Sequence, residues 1–271
     1  MYLLWLRVAA IFYCLGCITT LPAVLYSRQR LQRIAIPVTL GGFFFHFVAI
    51  VEMLAGARHL VPVGMHEVEA TLSLLIVTAY LLVLYAYRAT AFGIFALPLG
   101  LLLLITPAVG ADHTTFVSPM IRSGWLFVHI GALMAAYAAL IFSLVSSLLY
   151  LMQEQRLKSK NGAGFLAWLP PLAVMDRISQ SSLTIGFHCM TLGLLAGSLI
   201  AQESVGATYF LDPKVLLSFG MWALYIVMLL LRRSVGLRGR RAVWVSSFAF
   251  LVVISVWAAN LFSSVHRFPG P

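Results

Sequence analysis

The sequence predicts an all-α fold: a polytopic membrane helix bundle of eight transmembrane helices, forming one domain over residues 1–271 with both termini outside. Three observations predict it. Hydrophobic residues make up 62% of the chain and charged residues 10%, against about 25% charged in an average soluble domain. The apolar residues gather into eight runs, each near the roughly 20 residues that a helix needs to cross a bilayer. Basic residues concentrate in alternate short connections, the pattern that orients membrane proteins.

The runs cover residues 3–25, 34–54, 68–87, 91–109, 124–152, 183–201, 215–231 and 242–262. The first has no basic segment before it and no small-residue cleavage site after it, so it is expected to be a retained span, not a signal peptide. The fifth would be about 43 Å long at 1.5 Å per residue. That exceeds a hydrocarbon core of roughly 30 Å, so this helix is expected to tilt or protrude. Between the fifth and sixth, residues 153–182 begin polar and then place Phe165, Leu166, Trp168, Leu169, Leu172, Val174 and Met175 around Pro170 and Pro171. This reads as an interfacial, proline-broken amphipathic connection and not as a ninth span. Gly131 and Ala135 on the fifth helix, and Gly193 and Gly197 on the sixth, mark expected close helix contacts.

The formal charge of +10 arises from 18 Lys and Arg against 8 acids. Thirteen of the basic residues lie in the four connections after the first, third, fifth and seventh helices, and five lie on the other side. The asymmetry makes those four connections cytoplasmic and explains the charge as topology. No basic stripe is interleaved with exposed aromatics, so a nucleic-acid partner is not expected.

Seven histidines in so apolar a chain are the main chemical signal, because polar side chains in lipid are costly and usually face a bundle interior or a site. His46 falls within the second helix and His188 within the sixth. His129 lies one turn into the fifth helix from the outer surface, and His266 just beyond the eighth on the same surface. Neutral imidazole is an axial ligand for haem iron, and two histidines from separate helices near one membrane face suit a bis-imidazole site. The ordinary alternative is an interfacial histidine hydrogen-bonded to water or headgroups. His59, His66 and His113 fall in outer loops. Zinc is disfavoured, since there is no H-E-x-x-H and no Cys/His cluster at short spacing beyond Cys14-Leu15-Gly16-Cys17. In a membrane helix that C-x-x-C reads first as small apolar packing and second as a redox pair. No nucleophile elbow, phosphate loop or dinucleotide fingerprint is present, so catalysis is not expected. The outer loop ends in Tyr209, Phe210 and an Asp-Pro turn at Asp212 and Pro213. Its aromatics belong to the interfacial belt or form a platform for a flat apolar ring.

Five stretches occur in a recognisable order: "WLFVHIGALMAAYAAL" from Trp125, "MDRISQSSLTIGFHCMTLGLLAG" from Met175, "DPK" from Asp212, "GLRGRRAVW" from Gly236 and "NLFSSVH" from Asn260. Together they resemble the cytochrome c assembly family of CcsA-type haem-handling membrane proteins, and among these the shorter HemX-like or YpjD-like branch. The resemblance implies that His129 and His266 are the outer-face axial ligands of haem b. It also implies that Gly206 to Lys214, with Tyr209, Phe210, Asp212 and Lys214, corresponds to the family's tryptophan-rich loop. That loop departs from the family pattern here: no tryptophan is present, and Val215 stands where an acid would be. His46 and His188 correspond to in-membrane histidines that serve some members as a haem entry site.

The expected function is therefore a non-enzymatic haem-binding protein of the bacterial inner membrane that supports c-type cytochrome biogenesis. Its expected partners are haem, an apocytochrome c or an assembly subunit, and the lipid bilayer. One alternative is a HemX-like regulator or scaffold that acts on haem-synthesis enzymes through its cytoplasmic loops, including Arg232 to Arg241. Another is a small-solute permease, which the sparse mid-membrane polarity disfavours.

Overall fold

The computed structural model describes residues 1–26, 28–57, 61, 62, 64–110, 124–158, 169–204 and 210–234, with 236, 241, 244, 248 and 255 besides. The described residues form helices α1 (Tyr2–Leu25), α2 (Gln29–Ala57), α3 (Met65–Tyr87), α4 (Gly93–Val109), α5 (Gly124–Lys158), α6 (Leu172–Ser204) and α7 (Pro213–Ser234). A 3-10 turn, Thr90–Phe92, leads into α4, and there is no strand among the described residues. All seven helices are long and apolar enough to cross a membrane. The expected span 242–262 lies outside the described residues apart from Trp244, Phe248 and Ser255, which are helical, as is Arg241 just before it.

The expected membrane helix bundle is thus what the chain forms, with one correction of boundaries. α5 runs on to Lys158, and α6 begins at Leu172 instead of near residue 183. Much of the expected amphipathic connection is therefore helix. Pro170 and Pro171 stand immediately before α6, where proline is tolerated because first-turn amides lack intrahelical partners. Beyond them Met175, Ile178, Ser179 and Leu183 recur at helical spacing and are buried. His66 likewise lies in the first turn of α3 and not in a loop.

The chain divides into two compact units. The first contains α1 to α4. Leu6, Ala9, Tyr13, Gly16, Thr20 and Ala23 form the buried stripe of α1, spaced three and four apart as one helix face requires. The opposite faces stay apolar and exposed, with Ile11 and Ile18 on α1 and Phe44 on α2, as expected where lipid replaces water. Helix contact here depends on small residues, because lipid gives apolar side chains no incentive to leave it. A Cβ on Gly42 would lie 2.7 Å from the Tyr13 ring, and one on Gly41 would lie 2.8 Å from Phe12. The glycine pair lets these aromatics rest on the α2 backbone, and one turn later the Tyr13 hydroxyl meets His46 Nδ1 at 3.1 Å. Ser73 of α3 donates to the Gly100 carbonyl of α4 at 2.7 Å. Arg7 of α1 donates through Nε to the Ala108 carbonyl at 3.0 Å, occupying one of the last carbonyls of α4 that the helix leaves unpaired.

The second unit contains nearly all of α5 and α6, with α7. Its core joins Ala136 and Leu140 of α5, Leu183, Met190 and Leu194 of α6, and Met221, Tyr225 and Met228 of α7. The seam between α5 and α6 runs over three glycines. A Cβ would lie 2.9 Å from Leu140 at Gly186, 2.7 Å from Leu133 at Gly193, and 2.5 Å from His129 at Gly197. Both helices step by seven and then four residues in opposite directions, which is the register of an antiparallel pair. Gly131, expected at a close contact, has open space where its Cβ would stand. It lies off the face defined by His129, Leu133, Ala136 and Leu140. Trp222 of α7 donates to Thr191 Oγ1 at 2.9 Å and stacks on Phe187, with ring centroids 6.1 Å apart.

The glycine contacts give a direct stability prediction. Gly42→Ala is expected to lower stability by about 1–3 kcal/mol through overpacking against Tyr13. Gly56→Ala has nothing within 4 Å and is expected to be neutral or slightly stabilising. Unfolding both variants by denaturant titration in mixed micelles checks the contrast.

Candidate functional site

The candidate site lies at one end of the second unit, where α5 begins, α6 ends and α7 begins. His129 is the sixth residue of α5 and is half-buried. Its Nδ1 lies 2.7 Å from the Gly193 carbonyl oxygen. A carbonyl only accepts, so Nδ1 carries the proton, and the neutral ring therefore places its lone pair on Nε2. Nε2 has no hydrogen-bond partner among the described residues. A backbone carbonyl gripping the distal ring nitrogen is the usual way proteins orient a metal-binding imidazole and raise its basicity. Gly197 supplies the seat, since the ring occupies the space a Cβ would take, 2.5 Å from Nδ1 and Cε1.

The Asp-Pro-Lys segment has a definite structural role. Asp212 precedes α7, and its Oδ1 accepts the backbone N–H of Lys214 at 3.0 Å. Asp212 is therefore the N-cap of α7, with Pro213 in the first helical position, where a missing N–H costs nothing. Asp212 is buried. The Lys214 side chain is close enough to His129 for its charge to act on the ring. Val215 is buried against Ala201 and Phe219 and locks the start of α7 to the end of α6. Phe210 is exposed, with its ring 6.4 Å from that of Phe219.

The structure thus brings His129, Asp212 and Lys214 to one end of a single unit, with Phe210 beside them. Tyr209 and His266 lie outside the described residues. His46 and His188 fall in different units and in opposite environments. His46 is fully buried, with Nδ1 on Tyr13 and Nε2 lacking a hydrogen bond among the described residues. His188 is exposed and returns Nδ1 to the Thr184 carbonyl of its own helix at 2.7 Å. Cys14 is exposed and Cys17 half-buried, both as free thiols. Among the described residues no three His, Cys, Asp or Glu side chains converge as a metal site.

Sequence reasoning singled out His129 but not its seat. The G-x-x-x-G of Gly193 and Gly197 signals packing, and its position opposite His129 emerges only from the antiparallel register. Arg232 was also missed as a buried residue, because it was counted among topology-setting charges. Its signal was available in Met221, Tyr225, Met228 and Arg232, which follow one another by four, three and four residues.

Two substitutions test these roles. Gly197→Ala is expected to displace the His129 ring and cost about 1–3 kcal/mol, read as lost thermal stability in detergent. Asp212→Ala is expected to cost about 1 kcal/mol through loss of the cap, with Asp212→Asn close to wild type because Asn caps equally well. An acid role for Asp212 would make both variants equally defective.

Comparison with known proteins bears on the family of the chain. Residues 65–266 match the family model described as Cytochrome C assembly protein, so the likeness begins at α3, ahead of the motifs around Trp125. Cytochrome c biogenesis protein CcsA of Prochlorococcus marinus (strain MIT 9312) is 35% identical over 155 residues, 50% of each chain. The CcsA protein of strain MIT 9215 is 27% identical over 259 residues, covering 81% of this chain and 84% of its own. That of Mesostigma viride is 27% identical over 201 residues, covering 65% and 60% respectively. The match to the first of these relatives spans about half of that protein's length. On the extent of the family match, the chain belongs to the cytochrome c assembly protein family.

Proposed function

We propose that this protein handles haem in the bacterial inner membrane in support of c-type cytochrome biogenesis, binding haem b as cargo near the extracytoplasmic face. The observation that carries the reading is the His129 imidazole, gripped at Nδ1 by the Gly193 carbonyl with Nε2 left to donate its lone pair. His129 supplies one axial ligand and His266 the other, in an eight-span arrangement with both termini outside. The donor set fits haem iron, for which neutral imidazole is an ordinary axial ligand. Lys214 offers a cation to a propionate. Tyr209 and Phe210 offer aromatic edges, in a smaller platform than the tryptophan-rich loop of CcsA-type proteins.

In this reading the chain performs ligand exchange without catalysis. His129 stays oriented by α6 whether or not cargo is present, so binding does not have to pay for ordering the ring. Release to an apocytochrome c or an assembly subunit needs only the exchange of histidine ligation. His46 and His188 are candidates for ligation within the membrane, with Tyr13 holding the first and the Thr184 carbonyl the second. The matched CcsA relatives, named as cytochrome c biogenesis proteins, support this over a regulator acting through cytoplasmic loops.

Absorption spectra of protein purified from haem-replete cells, oxidised and reduced, test the reading. Wild type is expected to show a Soret band with bis-histidine features, weakened in His129→Ala and His266→Ala, and both variants are expected to lower c-type cytochrome levels. Wild-type protein that stays haem-free even after reconstitution with added haem would overturn it. Altered haem precursor levels in Arg240→Ala and Arg241→Ala, with normal histidine variants, would favour the regulator.

A further inference from the structure

The opposite end of the second unit holds a polar nest that the haem reading does not use. Ser146 and Ser147 lie late in α5, Met175 and Ser179 early in α6, and Arg232 in the last turn of α7. Ser147 Oγ lies 2.8 Å from Ser179 Oγ. Ser143 Oγ donates to the Ser179 carbonyl at 3.0 Å, and Ser146 Oγ donates to the Met175 carbonyl at 2.6 Å. Arg232 enters this nest from α7, donating from Nη2 to Ser179 Oγ at 3.0 Å.

An arginine at a membrane helix end ordinarily extends its head to the interface, and its neighbour Arg233 is exposed. Arg232 instead turns inward on the face of Met221, Tyr225 and Met228, and is only 9% exposed. Its Nε is buried with no acceptor among the described residues. The hydroxyl that receives Nη2 is neutral, and the Asp176 carboxylate acts on the guanidinium through space. Taking a guanidinium out of water is costly unless an anion receives its donors. A guanidinium presents a planar fork of five N–H groups that fits a phosphate or carboxylate.

We propose that Arg232, with the Ser179 and Ser147 hydroxyls, forms a binding site for the oxyanion of an anionic membrane amphiphile, a phosphate or a carboxylate. The site sits at the last turn of α7, beside the first two turns of α6, where an amphiphile can place its charge while its apolar body lies along the bundle. The proposal is independent of ligation by His129, which lies toward the other end of α5. The two available sources of the oxyanion are a phospholipid headgroup and the propionate of a porphyrin.

Native mass spectrometry of the full chain separates them. One arm compares retention of phosphatidylglycerol with phosphatidylcholine, and the other compares haem with haem dimethyl ester, each in wild type, Arg232→Gln and Arg233→Gln. Loss of one charge-assisted contact is expected to lower retention of the anionic member about tenfold in Arg232→Gln, with Arg233→Gln unchanged. A drop for phosphatidylglycerol identifies a phosphate site, and a drop for haem but not its ester identifies a carboxylate site. Equal retention in wild type and Arg232→Gln, or an equal loss in Arg233→Gln, overturns the proposal. Should Arg232→Gln fail to assemble, the Ser147→Ala/Ser179→Ala double variant keeps the guanidinium and is read against the same ratios, with a several-fold loss expected and an unchanged ratio overturning it.

Discussion

The second unit depends on the close approach of α5 and α6 over Gly186, Gly193 and Gly197. In lipid, apolar side chains gain nothing by leaving one solvent for another, so helices associate where backbones come near enough for dense dispersion contact and direct hydrogen bonds. Three missing Cβ atoms bring about that approach. The seam seats Leu140 and Leu133, and at its end it seats His129 against the Gly193 carbonyl. One packing device therefore produces both the interface and the orientation of the candidate ligand. The first unit repeats the principle with Gly41 and Gly42 beneath Phe12 and Tyr13, and there too the contact leads within a turn to a held histidine.

A second constraint is the satisfaction of polar groups where water is absent. Thr39, Thr78, Thr184, Thr191 and Ser198 each return a hydroxyl to the carbonyl four residues back, so these residues need no partner helix. Several polar contacts between helices sit at informative places. Ser73 ties α3 to α4, Trp222 ties α7 to α6, and the serine nest gathers α5 and α6 around Arg232. Against so economical a background, the buried Arg232 guanidinium carries an unused donor, and the buried Gln153 amide oxygen likewise lacks a partner among the described residues.

The helices were legible in the sequence because their apolar runs match the bilayer thickness, a signal that needs no knowledge of packing partners. His129 and the Asp-Pro-Lys turn were legible because such residue types are costly in, or specific to, their settings. The start of α6 was not, since Pro170 and Pro171 look like breakers when they in fact precede a helix. The emptiness around Gly131 and the seat at Gly197 depend on how α5 faces α6, which one strand of sequence does not encode by itself. Arg232 was misjudged by counting charge without following the period of Met221, Tyr225 and Met228.

The carbonyl that holds His129 belongs to Gly193, eleven residues before α6 ends at Ser204. Helices fray from their termini, and the free energy needed to open a turn rises with distance from the end. The acceptor is therefore about three turns, or roughly 16 Å, inside the helix, below any opening confined to the final turn. The final turn of α6 can open on timescales that leave the ring's tautomer and aim untouched. Access to the site and the geometry of the site are in this way governed by separate parts of the same helix.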